Sequence, residues 1–193
     1  MNKGRLEAFS DGVIAIIITI MVLEFKVPHG DQLADLVSLW PVFLSYLLSF
    51  VNVGIYWNNH HHLMHAVKRV NGSILWANLN LLFWLSLMPF VTAWVGENHF
   101  ASTPMVVYCL DLCMCAIAYT ALQWQIIKFE GEQSILRQAV GGDLKGKISL
   151  ASYIVAIPLA LFGIPSVSGI LVGAVACIWF IPDRRIEKAL AQN

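Results

Sequence analysis

Six long runs of apolar residues divide the chain, and polar or charged segments separate them. The runs lie at about residues 12–27, 36–57, 74–95, 105–127, 150–164 and 167–181. They lack the apolar–polar alternation that membrane β-barrel strands show. A helix needs about 20 apolar residues to cross the hydrocarbon of a bilayer, and several runs reach that length. The pattern predicts an all-α membrane protein with one domain of six transmembrane helices over residues 1–193.

The first run is shorter than a bilayer is thick. Residues 12–23 are uncharged, and they give about 18 Å of helix at 1.5 Å per residue. The fifth and sixth runs are also short, and a tight turn at residues 163–166 separates them. The ends of a short, charge-flanked helix are more stable in water-filled vestibules than in lipid. We therefore expect the first helix to lie in the middle of an assembly.

Composition agrees with a membrane location and adds an orientation. Hydrophobic residues make up 58% and charged residues 12% of the chain, and the mean hydropathy is +0.69. A soluble domain carries about 25% charged residues. With six spans, eleven of the 12 Lys and Arg residues lie on one side of the membrane, and only Lys26 lies on the other. Because cytoplasmic loops are enriched in Lys and Arg, both termini are predicted to be cytoplasmic.

Polar side chains occur where the first three runs reach that cytoplasmic side. Asp11 begins the first run, Trp57 and His60 end the second, and Asn78 begins the third. A carboxylate at the membrane edge is costly unless it is paired, and indole, imidazole and amide groups can donate to it. We predict a polar network among these three helices. The alternative is that Ser10 or Asp11 only caps the start of the first helix.

Histidines and a buried carboxylate leave two other chemistries open. His61 and His65 lie four residues apart on one helix face, as paired zinc ligands often do. No carboxylate or cysteine near them in the sequence completes a set, so no metal site is assigned. Asp111 lies inside the fourth run, where a carboxylate is a candidate for a proton relay or for a buried hydrogen bond. A proton-coupled transporter that uses Asp111 and the His60–His65 cluster is therefore the alternative function.

The sequence contains no pattern that is typical of an enzyme. It has no nucleophile–base motif, no phosphate-binding loop and no paired-carboxylate motif. It also gives no support for nucleic-acid binding. We therefore predict neither a catalytic site nor a cofactor.

The start of the first span carries a recognisable signature. Arg5-x-x-x-Phe9-Ser10-Asp11 resembles the signature of the transmembrane protein 175 family, which comprises endolysosomal potassium channels of animals and their prokaryotic relatives. Residues of the second and third spans also resemble the family pattern: Trp57, His60, Asn78 and Pro89. The whole chain corresponds to one six-helix repeat. Because prokaryotic single-repeat members form tetramers, the resemblance implies a homotetramer in the plasma membrane of a prokaryote.

The resemblance also implies a pore. In the family, four copies of span one line it, and bulky apolar residues of that span form its constriction. The corresponding residues here are Ile16, Ile20 and Leu23, and Thr19 matches a threonine proposed to favour potassium. The residues themselves leave the rotation of the helix open, because a second apolar stripe is present: Ile14, Ile17, Ile18 and Val22.

The function that the resemblance implies is a leak-like potassium channel with modest selectivity over sodium. The residues that hold the pore helix in orientation would be Arg5, Phe9, Ser10, Asp11, Trp57, His60 and Asn78. Potassium ions, the lipid bilayer and other copies of the chain are the expected partners. No carbonyl-ring filter of the TVGYG type is present, so selectivity of that kind is not expected.

Overall fold

The computed structural model describes residues 3–131, 134, 136–137 and 141–180, and the elements in this part of the chain are helices. They are α1 (Lys3–Ile20), a 3₁₀ segment that continues it (Met21–Glu24), α2 (Leu33–Val37), α3 (Trp40–Ala66), α4 (Gly72–Glu97), α5 (Ser102–Glu130), α6 (Leu144–Leu161) and α7 (Pro165–Trp179). The end of the sixth predicted run and the C-terminal basic residues lie outside the described residues. The all-α prediction is confirmed for the part described.

Five of the helices are long and apolar enough to cross a membrane: α1 with its 3₁₀ extension, α3, α4, α5 and α6. The sixth predicted run forms α7, a shorter apolar helix of 15 residues. The first span differs from the sequence-based expectation, because the helix starts at Lys3 and extends over 22 residues to Glu24. The polar turns before residue 12 are helical because they pack against neighbouring helices. The helix is therefore longer than the uncharged run of residues 12–23.

Successive helices pack on each other, and α1 packs on one side of the bundle. The main contacts run between α3 and α4, α4 and α5, α5 and α6, and α6 and α7, while α1 packs mainly on α4 and α3. Most of the largest buried side chains come from α4 and α5, among them Leu81, Leu85, Tyr108 and Leu112, and the others come from α1 with its 3₁₀ segment and from α3. The fold therefore presents α1 as a peripheral helix of the subunit, held on one face only.

Local sequence signals explain where the helices begin and end. The Asn71 side chain accepts a hydrogen bond from the backbone N–H of Ile74 (2.9 Å) and so caps the start of α4. Pro165 begins α7, a position where its missing N–H is not needed. Gly163 adopts a left-handed φ of 83° after α6, and the N–H of Ile164 then bonds to the Leu159 carbonyl (3.1 Å). That pattern ends the helix and sets the tight turn into α7.

An ion pair joins the opposite end of α1 to α4. Lys26, just beyond the 3₁₀ segment, lies 2.6 Å from the Glu97 carboxylate at the end of α4. The hydrogen bond to Glu97 raises the pKa of the exposed Lys26 ammonium group. The α1–α4 contact thus ends in a charged pair, which lies just beyond the apolar parts of both helices.

Gly96 allows α4 to approach α3 closely. A Cβ at this position would lie 2.5 Å from the Ser45 hydroxyl and 2.8 Å from the backbone Cα of Val42. Because the Val42 backbone cannot move away without shifting α3, we expect Gly96→Ala to destabilise the fold by about 1–3 kcal/mol through overpacking. The measurement is the Tm of the purified protein in detergent.

Gly54→Ala is the matched control, since Gly54 is also inside a long helix but has no atom within 4 Å of the added Cβ. Alanine is the better helix former, so the Tm of this variant should stay the same or rise. Equal Tm values for the two variants would contradict the close approach of α3 and α4.

Candidate functional site: the first helix and its polar anchors

The two faces of α1 have different environments within the subunit. Ile14 and Ile17 are 0% and 2% exposed, and Met21 in the 3₁₀ segment is also buried. Ile16 and Leu23 are 60% and 76% exposed. Of the stripe Ile14, Ile17, Ile18 and Val22, the first two therefore pack into the bundle, Ile18 is half-buried and Val22 is exposed. Ile16, Ile20 and Leu23 point away from the bundle, and Thr19 is exposed beside them.

The exposed face of α1 changes in composition along the helix. Its first half carries the small residues Gly4, Ala8, Gly12 and Ala15 beside the exposed Arg5 and the 53% exposed Phe9. Its second half carries the exposed Ile16, Ile20 and Leu23. The exposed face is therefore mixed near the start of α1 and mainly apolar near its end.

Buried hydrogen bonds attach the start of α1 to α4 and α3. The Asn78 amide nitrogen donates to the Ser10 hydroxyl (2.9 Å), and the Asn78 oxygen lies 2.7 Å from His60 Nε2. Since the amide oxygen is an acceptor, His60 Nε2 carries the proton. Ser10 in turn donates to the Leu6 carbonyl (2.9 Å). Ser10, His60 and Asn78 are all fully buried, so one amide links three helices.

A second set of contacts pairs α1 with α3 at intervals of one helical turn. The Trp57 indole N–H donates to Asp11 Oδ1 (3.1 Å). One turn earlier on α1, Glu7 Oε1 lies 3.5 Å from His61 Nδ1. One further turn earlier, the Lys3 ammonium donates to the carbonyl of His65 (3.1 Å). Steps of four residues on both antiparallel helices therefore stay in register.

The structure thus brings together five of the seven residues that we predict to orient the pore helix, namely Ser10, Asp11, Trp57, His60 and Asn78. Arg5 and Phe9 lie on the exposed part of α1. Within the described residues, neither takes part in the hydrogen bonds given above. Their role in orienting the helix stays a prediction.

Asp111 lies apart from the histidines. It is 4% exposed on α5, and neither carboxylate oxygen has a hydrogen-bond partner among the described residues. His60, in contrast, is bonded to Asn78 in the contact with α1. In the part of the chain that the structure describes, no hydrogen bond or ion pair joins Asp111 to the His60–His65 cluster.

Sequence inspection missed Glu7, which is distant in sequence from the histidines and adjacent to them in space. Its carboxylate reaches both His61 and His65. A signal was present, because Glu7 lies one helical turn before Asp11 and His61 one turn after Trp57. A pairing of Asp11 with Trp57 on antiparallel helices would therefore have predicted the Glu7–His61 contact.

Comparisons with known proteins identify the family. The sequence profile of the family described as "Endosomal/lysosomal potassium channel TMEM175" matches residues 5–89. A potassium channel of Chryseobacterium sp. (strain P1-3) is 57% identical over 193 residues, the full length of both chains. The chain belongs to the TMEM175 family. The resemblance seen in the sequence is confirmed, and the family is one of channels rather than of enzymes.

Solved structures and animal relatives extend this result. The TMEM175 homologue of Chamaesiphon minutus, a lysosomal potassium-selective channel homologue, has a TM-score of 0.79 at 29% identity and covers 94% of this chain and 97% of its own. A variant of the potassium channel MtTMEM175 shares the fold alone, with a TM-score of 0.66 at 16% identity, over 95% of this chain and 93% of its own. The rat endosomal/lysosomal proton channel TMEM175 is 31% identical over 137 residues, which are 65% of this chain and 27% of the rat protein. This TMEM175 chain is thus a multi-pass membrane channel protein.

Asn78→Leu should destabilise the protein, because it leaves the buried His60 Nε2 without its acceptor and removes the donor to the Ser10 hydroxyl. An unsatisfied buried polar group costs about 1–3 kcal/mol. The Tm in detergent should therefore fall clearly. Asn80→Leu is the same substitution at an exposed position of the same helix, and it should leave the Tm near that of the wild type. A similar fall in both variants would contradict a specific role of the Asn78 amide.

Proposed function

We propose that the chain is one subunit of a homotetrameric potassium channel in which four copies of α1 line a central pore. The observation that supports this most directly is the pair of faces on α1. One face is buried in the subunit through Ile14 and Ile17, and the other exposes Ile16, Ile20 and Leu23 together with Thr19. A helix anchored on one side and free on the other can join equivalent helices around a symmetry axis.

The proposed topology has six spans and cytoplasmic termini. It adds α7, a shorter apolar helix, to the five longer spans. It is supported by the basic residues, because this topology leaves only Lys26 on the outer side. Its location would be the plasma membrane of a prokaryote, in keeping with the bacterial relatives that are named potassium channels.

The proposed constriction lies in the second half of α1. Rings of Ile16, Ile20 and Leu23 would form an apolar segment that expels water when it is narrow, and such segments gate by dewetting. On the cytoplasmic side, the exposed part of α1 carries Arg5 and Phe9 beside the small Ala8 and Gly12. The exposure of Ile16, Ile20 and Leu23 on one face of α1 supports the position of the constriction.

Thr19 would supply the polar contact for the ion. Its hydroxyl lies 3.0 Å from the carbonyl oxygens of both Ala15 and Ile16, so its proton is directed back to the helix. A hydroxyl oxygen that donates in this way keeps lone pairs for a cation. A ring of four such oxygens is the source that we propose for modest potassium selectivity over sodium. Leak-like conduction follows from the lack of a voltage-sensor pattern of regularly spaced arginines in the sequence.

The alternative function is a proton-coupled transporter that uses Asp111 and the His60–His65 cluster. The unpartnered oxygens of Asp111 favour it, since a buried carboxylate without a donor is unusual. Two observations weigh against it. His60 contacts Asn78 rather than a path towards Asp111, and relatives are named as channels.

The first experiment measures potassium and sodium flux in proteoliposomes. Ile20→Asn and Leu23→Asn should hydrate the constriction, so flux should rise or selectivity for potassium should fall. Ile170→Asn places the same side chain at a 72% exposed position of α7 and should leave flux unchanged. If both α1 variants give the flux and selectivity of the wild type, Ile20 and Leu23 do not line the pore. If neither the wild type nor any variant gives flux, the proposal of a channel is wrong.

Asp111→Asn distinguishes the two functions. In a channel lined by α1, potassium flux should persist in this variant, because α5 does not line the pore. In a proton-coupled transporter, flux should saturate with substrate, depend on a pH gradient and disappear in the variant. Flux into vesicles that contain the wild type or the variant is compared with and without a pH gradient. The Tm of the two proteins is measured first, so that a loss of flux is not caused by unfolding.

A further inference from the structure

One cluster of metal-binding side chains is not used by the proposed pore. The carboxylate of Glu7 on α1 and the imidazoles of His61 and His65 on α3 each offer a ligand atom, and these atoms lie within 4.8 Å of one another. Glu7 Oε1 is 3.5 Å from His61 Nδ1 and 3.9 Å from His65 Nε2. Both distances exceed the usual 2.7–3.2 Å of a hydrogen bond to nitrogen, so Glu7 Oε1 makes no short hydrogen bond to either imidazole.

We propose that Glu7, His61 and His65 bind a divalent transition-metal ion of the zinc class. Two imidazoles and one carboxylate form a three-ligand zinc set that keeps a fourth position for water. With metal–ligand bonds of about 2.0–2.1 Å, tetrahedral ligand atoms lie roughly 3.3 Å apart. The separations of 3.5 and 3.9 Å from Glu7 to the two imidazoles approach this value, and the two imidazole nitrogens lie within 4.8 Å of each other. Side-chain rotations that bring the imidazoles together would close the set. Nitrogen-rich sets of this kind favour zinc, cobalt and nickel over magnesium or calcium.

The surrounding helices support the three ligands. A spacing of four residues places His61 and His65 on one face of α3, with ring centroids 4.5 Å apart. The Trp57 ring stacks on His61 at 6.1 Å, and its indole is held by Asp11. The Trp57–Asp11 hydrogen bond, which anchors α1 to α3, therefore also holds the ring that packs against His61.

The local charges favour a cation on balance. The cluster lies near the C-terminal end of α3, where the carbonyl groups give a partial negative charge. Glu7 adds a full negative charge, and Asp11 lies one helical turn away. Lys3 and Arg5 carry opposing charges; the Lys3 ammonium donates to the His65 carbonyl, and Arg5 lies on the exposed part of α1. The side chains of His61 and His65 are 39% and 55% exposed, so an ion has access from water.

A bound ion would tie α1 to α3 across the start of the first helix. Because two ligands belong to α3 and one to α1, occupancy would restrict the tilt of α1 relative to the bundle. An effect on ion flux rests on the proposed function, in which α1 lines the pore. Metal binding itself does not, and the two are therefore tested by separate measurements.

The test is a titration of purified, EDTA-treated protein that carries no polyhistidine tag. Zn²⁺ binding is measured by calorimetry, and Co²⁺ binding by the visible absorption that a tetrahedral nitrogen–oxygen site produces. We expect one ion per subunit in the wild type. Glu7→Gln, His61→Gln and His65→Gln should each lower the affinity by more than about tenfold, since losing a ligand costs at least as much as losing its supporting contact.

His62→Gln is the control, because it removes the neighbouring histidine of the same run and keeps the three ligands. Its stoichiometry and affinity should match those of the wild type. Wild-type binding in Glu7→Gln or His65→Gln, or no specific binding in the wild type, would overturn the proposal. Should Glu7→Gln not fold, His65→Gln decides the result, since His65 is the most exposed ligand.

The metal site and the channel can be accepted or rejected independently of each other. Zn²⁺ binding that depends on Glu7 in a protein without potassium flux would retain the metal site and reject the channel. Potassium flux without such binding would retain the channel and reject the metal site.

Discussion

The hydrogen bonds of Asn78 determine how α1 lies in the subunit. Polar groups inside a membrane protein have to be satisfied by the protein itself, and the two ends of this amide meet Ser10 and His60. With Ser10 held inward, the residues four and seven positions later, Ile14 and Ile17, also face inward. The opposite face is thereby directed out of the bundle. One buried amide thus sets the rotation of the helix on which the proposed pore depends.

The remaining helices form the scaffold that makes this contact possible. Three buried hydroxyl groups connect α3, α4 and α5. The Thr92 hydroxyl on α4 donates to the Ser49 hydroxyl on α3 (2.6 Å), which also lies 2.9 Å from the Tyr108 hydroxyl on α5. The close approach of α4 to α3 at Gly96 holds the same two helices together. Because α1 rests on the α3–α4 pair, the position of α1 depends on how that pair packs. The Chamaesiphon homologue shares this fold.

The α1–α3 register links the anchoring contacts to the proposed metal site. Trp57 binds Asp11, His61 approaches Glu7, and Lys3 reaches the end of α3, each one helical turn from the next. Charged residues in the first turns of a membrane helix would be unfavourable in lipid, and this register gives them partners. It also explains why α1 is longer than its apolar run. Glu7 and the histidines are therefore positioned by the same geometry that orients the exposed face of α1, which we propose to line the pore.

The amino-acid sequence was enough to predict a helical membrane protein, because long apolar runs are favourable only when lipid or protein covers them. It was also enough to recognise the signature at residues 5–11, because a family motif depends only on the local order of residues. It also indicated that Asp11, Trp57, His60 and Asn78 would be neighbours, since all four occur at one end of their helices. Hydropathy could not choose between the Ile14 and Ile16 stripes, because protein, lipid and a dewetted pore all favour apolar side chains. That choice needed the contact of Ser10 with Asn78. The approach of Glu7 to His61 and His65 likewise depended on the register of two helices more than fifty residues apart in sequence, which only tertiary packing decides.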